Sequence, residues 1–333
     1  MFFSRKKQKF FVWGTQYSAL FIVTAITIIS LIGFLAKYWW VGELLSQLRP
    51  QYAFALTLCL PIVVWRFGRT GWLFLIPLLF NVATFAPLYF HTQTTQKPTT
   101  QTISVLHYNL DNTLSSHTIA FAYLRSHPVD ILSLQELTPE EADRLHEELP
   151  DYQIAYSHPM NNSHGSAVLL GTGSDIQVQT AEVIHLPDYS VRPIIAITLN
   201  IQGHSIAFLS FHAIRPVSAW NTDFQKIEFG AAAEWSRHQQ NQGQAVFMIG
   251  DFNSTSWSAN FHQLQQDGQL LNSEQGFGLQ PTWPIGLPIV FTIPIDHCLH
   301  SQEVMITDRF AGPYLGSDHA PLHVQFSIND SPP

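Results

Sequence analysis

An apolar run, Ala245-Val-Phe-Met-Ile249, ends abruptly in Gly250-Asp251-Phe252-Asn253. Side chains at positions i and i+2 of an extended segment point the same way. Asp251 and Asn253 therefore face one point, a carboxylate beside a neutral amide, which suits a metal ion and a phosphate oxygen. Asn109, Glu136, His212 and Asp296 share this placement, each standing where a predicted strand stops, and Asp318 and His319 stand where one starts. An Asp/Asn turn explains any one of these positions. A sandwich of sheets that gathers strand ends along one edge brings them all to one cleft.

Glu136, Asp251 and Asp318 are hard oxygen ligands. Mg²⁺ or Mn²⁺ takes such carboxylates a few at a time and keeps waters or phosphate oxygens for the rest. Asn109 and Asn253 hold a phosphoryl oxygen without adding charge that repels it. His212 and His319 donate hydrogen bonds to phosphate or move a proton near neutral pH, and Asp296 is a natural partner for one imidazole. The task these parts fit is metal-assisted attack of water on a phosphate ester, a reaction governed by positioning and charge neutralisation.

The elements that must position them are read from periodicity and end signals. Strands are predicted over 103–110, 129–134, 166–170, 194–199, 205–211, 245–249 and 322–328, with 291–295 leading into Asp296. Helices are predicted over 116–125, 138–149 and 222–240. The second opens with Thr138-Pro-Glu-Glu141, and the third carries Phe224, Ile227, Ala231 and Trp235 on one face.

Charge divides the chain in two. Only 12% of the 333 residues are charged, about half the usual share. Through Lys97 there are nine Lys/Arg and one acid, and from residue 98 there are seven Lys/Arg and 23 acids. The basic third holds three apolar runs, 17–36, 52–65 and 72–90, read as three membrane spans; one span plus a re-entrant hairpin is the competing arrangement. Four basic residues precede the first run, and Arg66 and Arg69 lie between the second and third. The positive-inside rule then places the rest of the chain outside the cytoplasm. Residues 1–90 are thus a membrane region, 91–102 a Thr/Gln-rich linker with a reach of about 20 Å, and 103–328 a catalytic domain. Its acidity disfavours nucleic acid as a partner and leaves a phosphorylated substrate near the bilayer. Cys59 and Cys298 do not suit a disulfide. His158, His164, His297 and His300 lack a structural zinc spacing.

The ordered set Asn109, Gln135-Glu136, His212, Gly250-Asp-Phe-Asn253, Ile295-Asp296-His297 and Ser317-Asp-His319 resembles the endonuclease/exonuclease/phosphatase superfamily over about 103–328. The resemblance implies a four-layer α/β sandwich, two packed mixed sheets flanked by helices, and Mg²⁺-dependent phosphoester hydrolysis. It implies that Glu136 binds the metal with support from Asp318, and that Asn109 helps place metal and phosphate. It further implies that Asp251 orients or activates water, Asn253 stabilises the transition state, His319 with Asp296 is the acid/base, and His212 contacts the phosphate. The spans ahead of the domain look like the membrane-tethered bacterial members, which implies an inner-membrane location. The basic loops of the family's nucleases have no counterpart here, and a further acidic or tyrosine partner between Glu136 and His212 is not placed. A lipid-linked or envelope phosphoester or pyrophosphate is the expected substrate; a tethered nuclease is the alternative, and a silent binding domain a third reading. Arg215 is read as a phosphate contact or a surface residue, Arg192 as structural ahead of functional, and Trp220, Trp257 and Trp283 as core or rim packing, with an apolar groove for a lipid tail as the alternative.

Overall fold

The computed structural model describes residues 5–90 and 101–329, and side chains in the first stretch from residue 17. It divides into two compact units, Met1–Pro87 and Leu88–Pro333. Nearly all of the expected linker, 91–102, lies outside the described residues.

The first unit is helical: α1 (Arg5–Ile32), α2 (Trp40–Ser46), α3 (Arg49–Phe67) and α4 (Leu75–Phe85), with 3-10 segments at Gly33–Tyr38 and Gly68–Phe74. Two stretches are long and apolar enough to cross a membrane, Tyr17–Tyr38 and Arg49–Tyr89. This corrects the expectation of three spans. The second and third apolar runs are joined by helical backbone into one stretch, and α4 has only 11 residues. At ~1.5 Å per residue that helix covers about half of a ~30 Å hydrocarbon core. A buried polar knot ties the unit together. Arg49 Nη1 donates to the Ser30 carbonyl at 2.9 Å and to Asn81 Oδ1 at 3.2 Å, and Asn81 Nδ2 donates to Ser30 Oγ at 2.7 Å. Polar groups in apolar surroundings persist when they satisfy one another across helices.

The second unit runs β1 (Ile103–Asn109), α5 (Thr118–Ser126), β2 (Ile131–Gln135), α6 (Pro139–Glu148), β3 (Tyr152–His158), β4 (Ser166–Gly171), β5 (Ile176–His185), β6 (Pro193–Ile201), β7 (His204–Ser210), α7 (Ala219–Asn241), β8 (Ala245–Asp251), α8 (Ala259–Gly268), β9 (Leu271–Asn272), β10 (Asp296–His300), β11 (Val304–Ala311) and β12 (Leu322–Ile328). One sheet has the order β11-β12-β1-β2-β4-β3 and the other β5-β6-β7-β8-β10-β9. In each sheet one central pair, β1–β2 or β7–β8, is parallel and the other pairs are antiparallel. Val105, Val168, Ile197, Phe208, Phe247 and Phe326 belong to the core between the sheets. Residues of α5 and α6 pack on the outer face of the first sheet, and residues of α7 and α8 on that of the second. The expected helix–sheet–sheet–helix order is present.

Helix α6 starts as its sequence predicts, with Thr138 and Glu141 in a reciprocal capping box. Three expectations differ. Strands β3, β5, β9 and β11 and helix α8 were not foreseen. Residues 291–295 form no strand: Ile289–Phe291 is a 3-10 turn, Pro294 supplies no N–H, and Asp296 opens β10 instead of closing a strand. Helix α7 buries Thr222, Gln225, Glu228, Phe229, Ala232, Ala233 and Ser236, while Ile227 is 44% exposed. Its inner face is polar because it supports the site.

Candidate active site

The parallel pairs β1–β2 and β7–β8 end at one edge of the sandwich. Strand β10 starts there because it runs antiparallel to β8, with Asp296 opposite Asp251, and β12 starts beside the end of β1. Gln135 joins the two sheets at this edge. Its Nε2 donates to the Phe211 carbonyl at 3.0 Å, and its Oε1 accepts from the Asp251 N–H at 3.1 Å. Gly250 makes that approach possible. At φ 152 its missing Cβ would stand 1.9 Å from the Phe211 oxygen and 2.5 Å from Gln135 Nε2, so no other residue fits.

Three non-glycine residues at this cleft take left-handed backbone, Asp111 at φ 61, Glu136 at φ 58 and Asn253 at φ 49. Strain of this kind persists where surroundings fix it, commonly at functional sites. Glu136 Oε1 accepts from Asn109 Nδ2 at 3.1 Å, and Oε2 accepts from the Asn112 N–H at 3.2 Å. Asn253 donates from its backbone to Asp251 Oδ1 at 2.7 Å. Its side-chain nitrogen donates to Asp251 Oδ2 and to the Ala213 carbonyl, both at 3.0 Å.

Behind these lies a buried acid–base chain. His319 Nδ1 bonds Asp296 Oδ2 at 2.9 Å, and its Nε2 is 3.8 Å from both Asp251 Oδ2 and Asp318 Oδ1. The second oxygen of Asp296 is 3.1 Å from His107 Nε2. His212 Nε2 stands 3.6 Å from Asp251 Oδ2. Burial opposes the charged form of His319, but Asp296, Asp251 and Asp318 outweigh it and raise the imidazole to about 9. Burial pushes Asp251 up to about 7, against the pull of His319. Burial would also raise Asp296, yet His319 and His107 hold it well below the carboxylate range. His212 is driven well below its ordinary value, by burial first and then by Arg192. The edge thus carries a protonated imidazole, a poised carboxyl and a neutral imidazole.

In front opens a cleft of about 540 Å³, lined among others by Glu136, Arg192, His212, Arg215, Asn253 and Asp318. Of the eight predicted site residues, Glu136, His212, Asn253 and Asp318 line it. Asp251, Asp296 and His319 form the chain behind it, and Asn109 touches Glu136. Sequence reasoning missed His107 and took Arg192 as structural. Arg192 donates to the His212 carbonyl at 3.0 Å, pairs through Nε with Glu228 Oε1 at 3.1 Å, and meets His164 Nε2 at 2.6 Å. Of the three tryptophans, Trp257 is buried, Trp220 is exposed, and Trp283 Nε1 donates to Asp318 Oδ2 at 2.7 Å.

The donor set fits a hard divalent cation. Glu136 and Asp318 present carboxylates on a cleft open to water, with Asn109 at hand, the sparse oxygen set that Mg²⁺ accepts. Among the described residues no group of three or more His, Cys, Asp or Glu forms a metal cage.

A family model described as the Endonuclease/Exonuclease/phosphatase family matches residues 106–319. Comparison with curated proteins by sequence finds no match. Among solved structures, a humanized D. rerio TDP2 superposes with a TM-score of 0.55 at 16% identity, over 68% of this chain and 99% of its own. D. rerio TDP2 complexed with single strand DNA product gives 0.54 at 18%, over 69% and 100%. A mannosyl-6-phosphatase of Bacteroides thetaiotaomicron gives 0.54 at 16%, over 68% and 100%. At such identities the likeness is one of fold.

Proposed function

The chain belongs to the endonuclease/exonuclease/phosphatase family, and we propose that it is a membrane-anchored, divalent-metal-dependent hydrolase cutting a phosphoester or pyrophosphate bond in a lipid-linked or envelope substrate. The observation that carries this reading is the buried His319–Asp296 pair beside Asp251, set directly behind a cleft lined by Glu136 and Asp318.

Glu136 and Asp318, with Asn109, would hold the cation, Mg²⁺ or Mn²⁺. The chemistry it would supply there is charge neutralisation at phosphoryl oxygens. Asp251, at about 7, takes the proton of the attacking water near neutral pH. His319, protonated and anchored by Asp296, gives a proton to the leaving oxygen. Asn253 and neutral His212 hydrogen-bond the phosphoryl group.

Two features support a substrate at a membrane. The domain has 23 acids against seven basic residues, whereas nucleic-acid binders carry a basic footprint. Two stretches ahead of it are apolar and long enough to span a bilayer. Arg66 and Arg69 lie at the bend after α3, where Gly68 has φ 60. Basic residues at such a bend suit a membrane–water boundary and not the hydrocarbon core.

The test is a panel of phosphomonoesters, phosphodiesters, lipid pyrophosphates and DNA, with Mg²⁺ or EDTA. Wild type runs beside Asp251→Ala and His319→Ala. Metal-dependent release of phosphate or headgroup from a lipid substrate, lowered at least a hundredfold in both variants, is expected. Cleavage of DNA alone overturns the reading in favour of a nuclease. Protease added to intact cells checks the sidedness.

A further inference from the structure

Large apolar side chains on the surface of the catalytic unit are not scattered evenly. Among the described residues from 101 onward, those more than half exposed are Ile119 and eight others. All eight come from the segments around the cleft. Val191 stands beside cleft residue Arg192, Val217 lines the cleft and Trp220 follows it. Leu287 and Ile289 follow Trp283, and Tyr314 precedes Asp318. Exposures of 82% at Val191 and 72% at Ile289 are far from the half-burial usual at a packed rim. Clustered exposed apolar surface of this kind marks an interaction site.

These segments are joined to one another and to the site. The Ile285 N–H donates to the Asp318 carbonyl at 2.8 Å. Gly286 lies against the Tyr314 ring, and the Arg215 guanidinium is 6.0 Å from the centre of the Trp283 ring. The Val217 N–H donates to the Arg215 carbonyl at 2.9 Å. The mouth also departs from the domain's charge. Pro284–Thr292 and Gly312–Gly316 contain no charged residue, and Ala213–Trp220 has one, Arg215. In a domain with 23 acids, Asp188 is the one acid in these stretches and in the 187–192 segment that carries Val191.

We propose that this apolar mouth docks on the surface of a lipid bilayer and seats the cleft over a phosphorylated lipid. The inference rests on the lipid-substrate reading above and adds the surface by which the domain meets its substrate. Two observations select a bilayer as the occupant. The same chain carries two stretches able to span one, the second ending at Tyr89, a short way in sequence ahead of β1 at Ile103. The acidic body of the domain is repelled by anionic headgroups, so contact must come through side chains that enter the interface without charge. Aliphatic and aromatic residues on Gly/Pro-containing loops do this. Arg215, on the cleft wall, then faces the phosphate.

The full chain is reconstituted in phosphatidylcholine vesicles with a polarity-sensitive fluorophore at Ile289→Cys, in a Cys59→Ser background; Cys298 is buried. The control position is Ile119→Cys, on α5. A blue shift at position 289 but not at 119, unchanged by 0.5 M salt, is expected. In parallel, Leu287→Asp with Ile289→Asp lowers the ratio of turnover on a vesicle-embedded lipid phosphate to turnover on a soluble phosphoester at least tenfold. A label at 289 that stays as hydrated as that at 119, or an unchanged ratio, overturns the docking and leaves the hydrolase reading standing. Shielding that follows protein concentration and not lipid assigns the face to a second copy and also overturns it. Shielding in lipid with no phosphoester turned over leaves the docking standing and removes the hydrolase reading.

Discussion

Both oxygens of Asp296 are occupied by imidazoles, His319 Nδ1 on one and His107 Nε2 on the other. His107 must donate from Nε2, and its Nδ1 is buried without a hydrogen-bond partner. The second imidazole stops the carboxylate from turning away from His319. His107→Leu is expected to lower kcat about 10–100-fold with KM changed less than twofold, the range seen when the residue orienting a catalytic group is lost. His107→Gln, whose amide reaches the same point, restores most of it; steady-state kinetics on the best phosphoester decides. The other site residues were legible because carboxylates, amides and imidazoles at strand ends have few bland explanations in combination. His107 was hidden inside a strand among apolar neighbours. One signal was present: it lies two residues before Asn109, so the two side chains leave β1 on the same side.

Helix α7 shows why periodicity reads some elements and misleads on others. Its length was legible, but the face was not, because the side turned inward carries Gln225 and Glu228. Gln225 Nε2 donates to the Ile214 carbonyl at 2.9 Å and to those of Phe252 and Asn253 at 3.3 and 3.2 Å. Glu228 accepts from the Ile214 N–H at 2.8 Å and pairs with Arg192. The helix holds both loops that flank the cleft, so polarity marks its inside. Glu228→Leu leaves the Arg192 guanidinium buried and unpaired. It is expected to destabilise the domain by about 3–5 kcal/mol, read as a lower urea midpoint, while Glu228→Gln keeps the Ile214 bond and loses less. Edge strands were illegible for another reason. Most of β5 faces solvent along its middle residues, so no alternation betrays it, whereas Ala245–Asp251 is buried throughout and reads as a strand at sight.

Across the whole molecule, several histidines are folded in the neutral state. Burial lowers His300 to about 4, and burial with Arg192 lowers His164 to the same range. A base whose folded value lies below its unfolded ~6.5 contributes stability that is complete above pH 6.5 and lost as pH falls toward 4. Asp251 and Glu228, both raised by burial to about 7, act in the opposite sense, so one group must be isolated. His300→Leu is expected to shrink the loss of thermal midpoint between pH 7 and pH 5. The full effect of that side chain is roughly 3 kcal/mol, and calorimetry at the two pH values checks it.

The pairing of β12 with β1 joins Ile103 to Phe326, two positions separated by nearly the entire domain. Asp318 and His319 sit just ahead of β12, so they reach the edge of the sandwich only when this pairing closes. A chain folded only as far as β10 holds Glu136 and Asp251 but lacks both. Such a long-range closure is slow to form, so the edge that gathers the candidate site is completed late in folding.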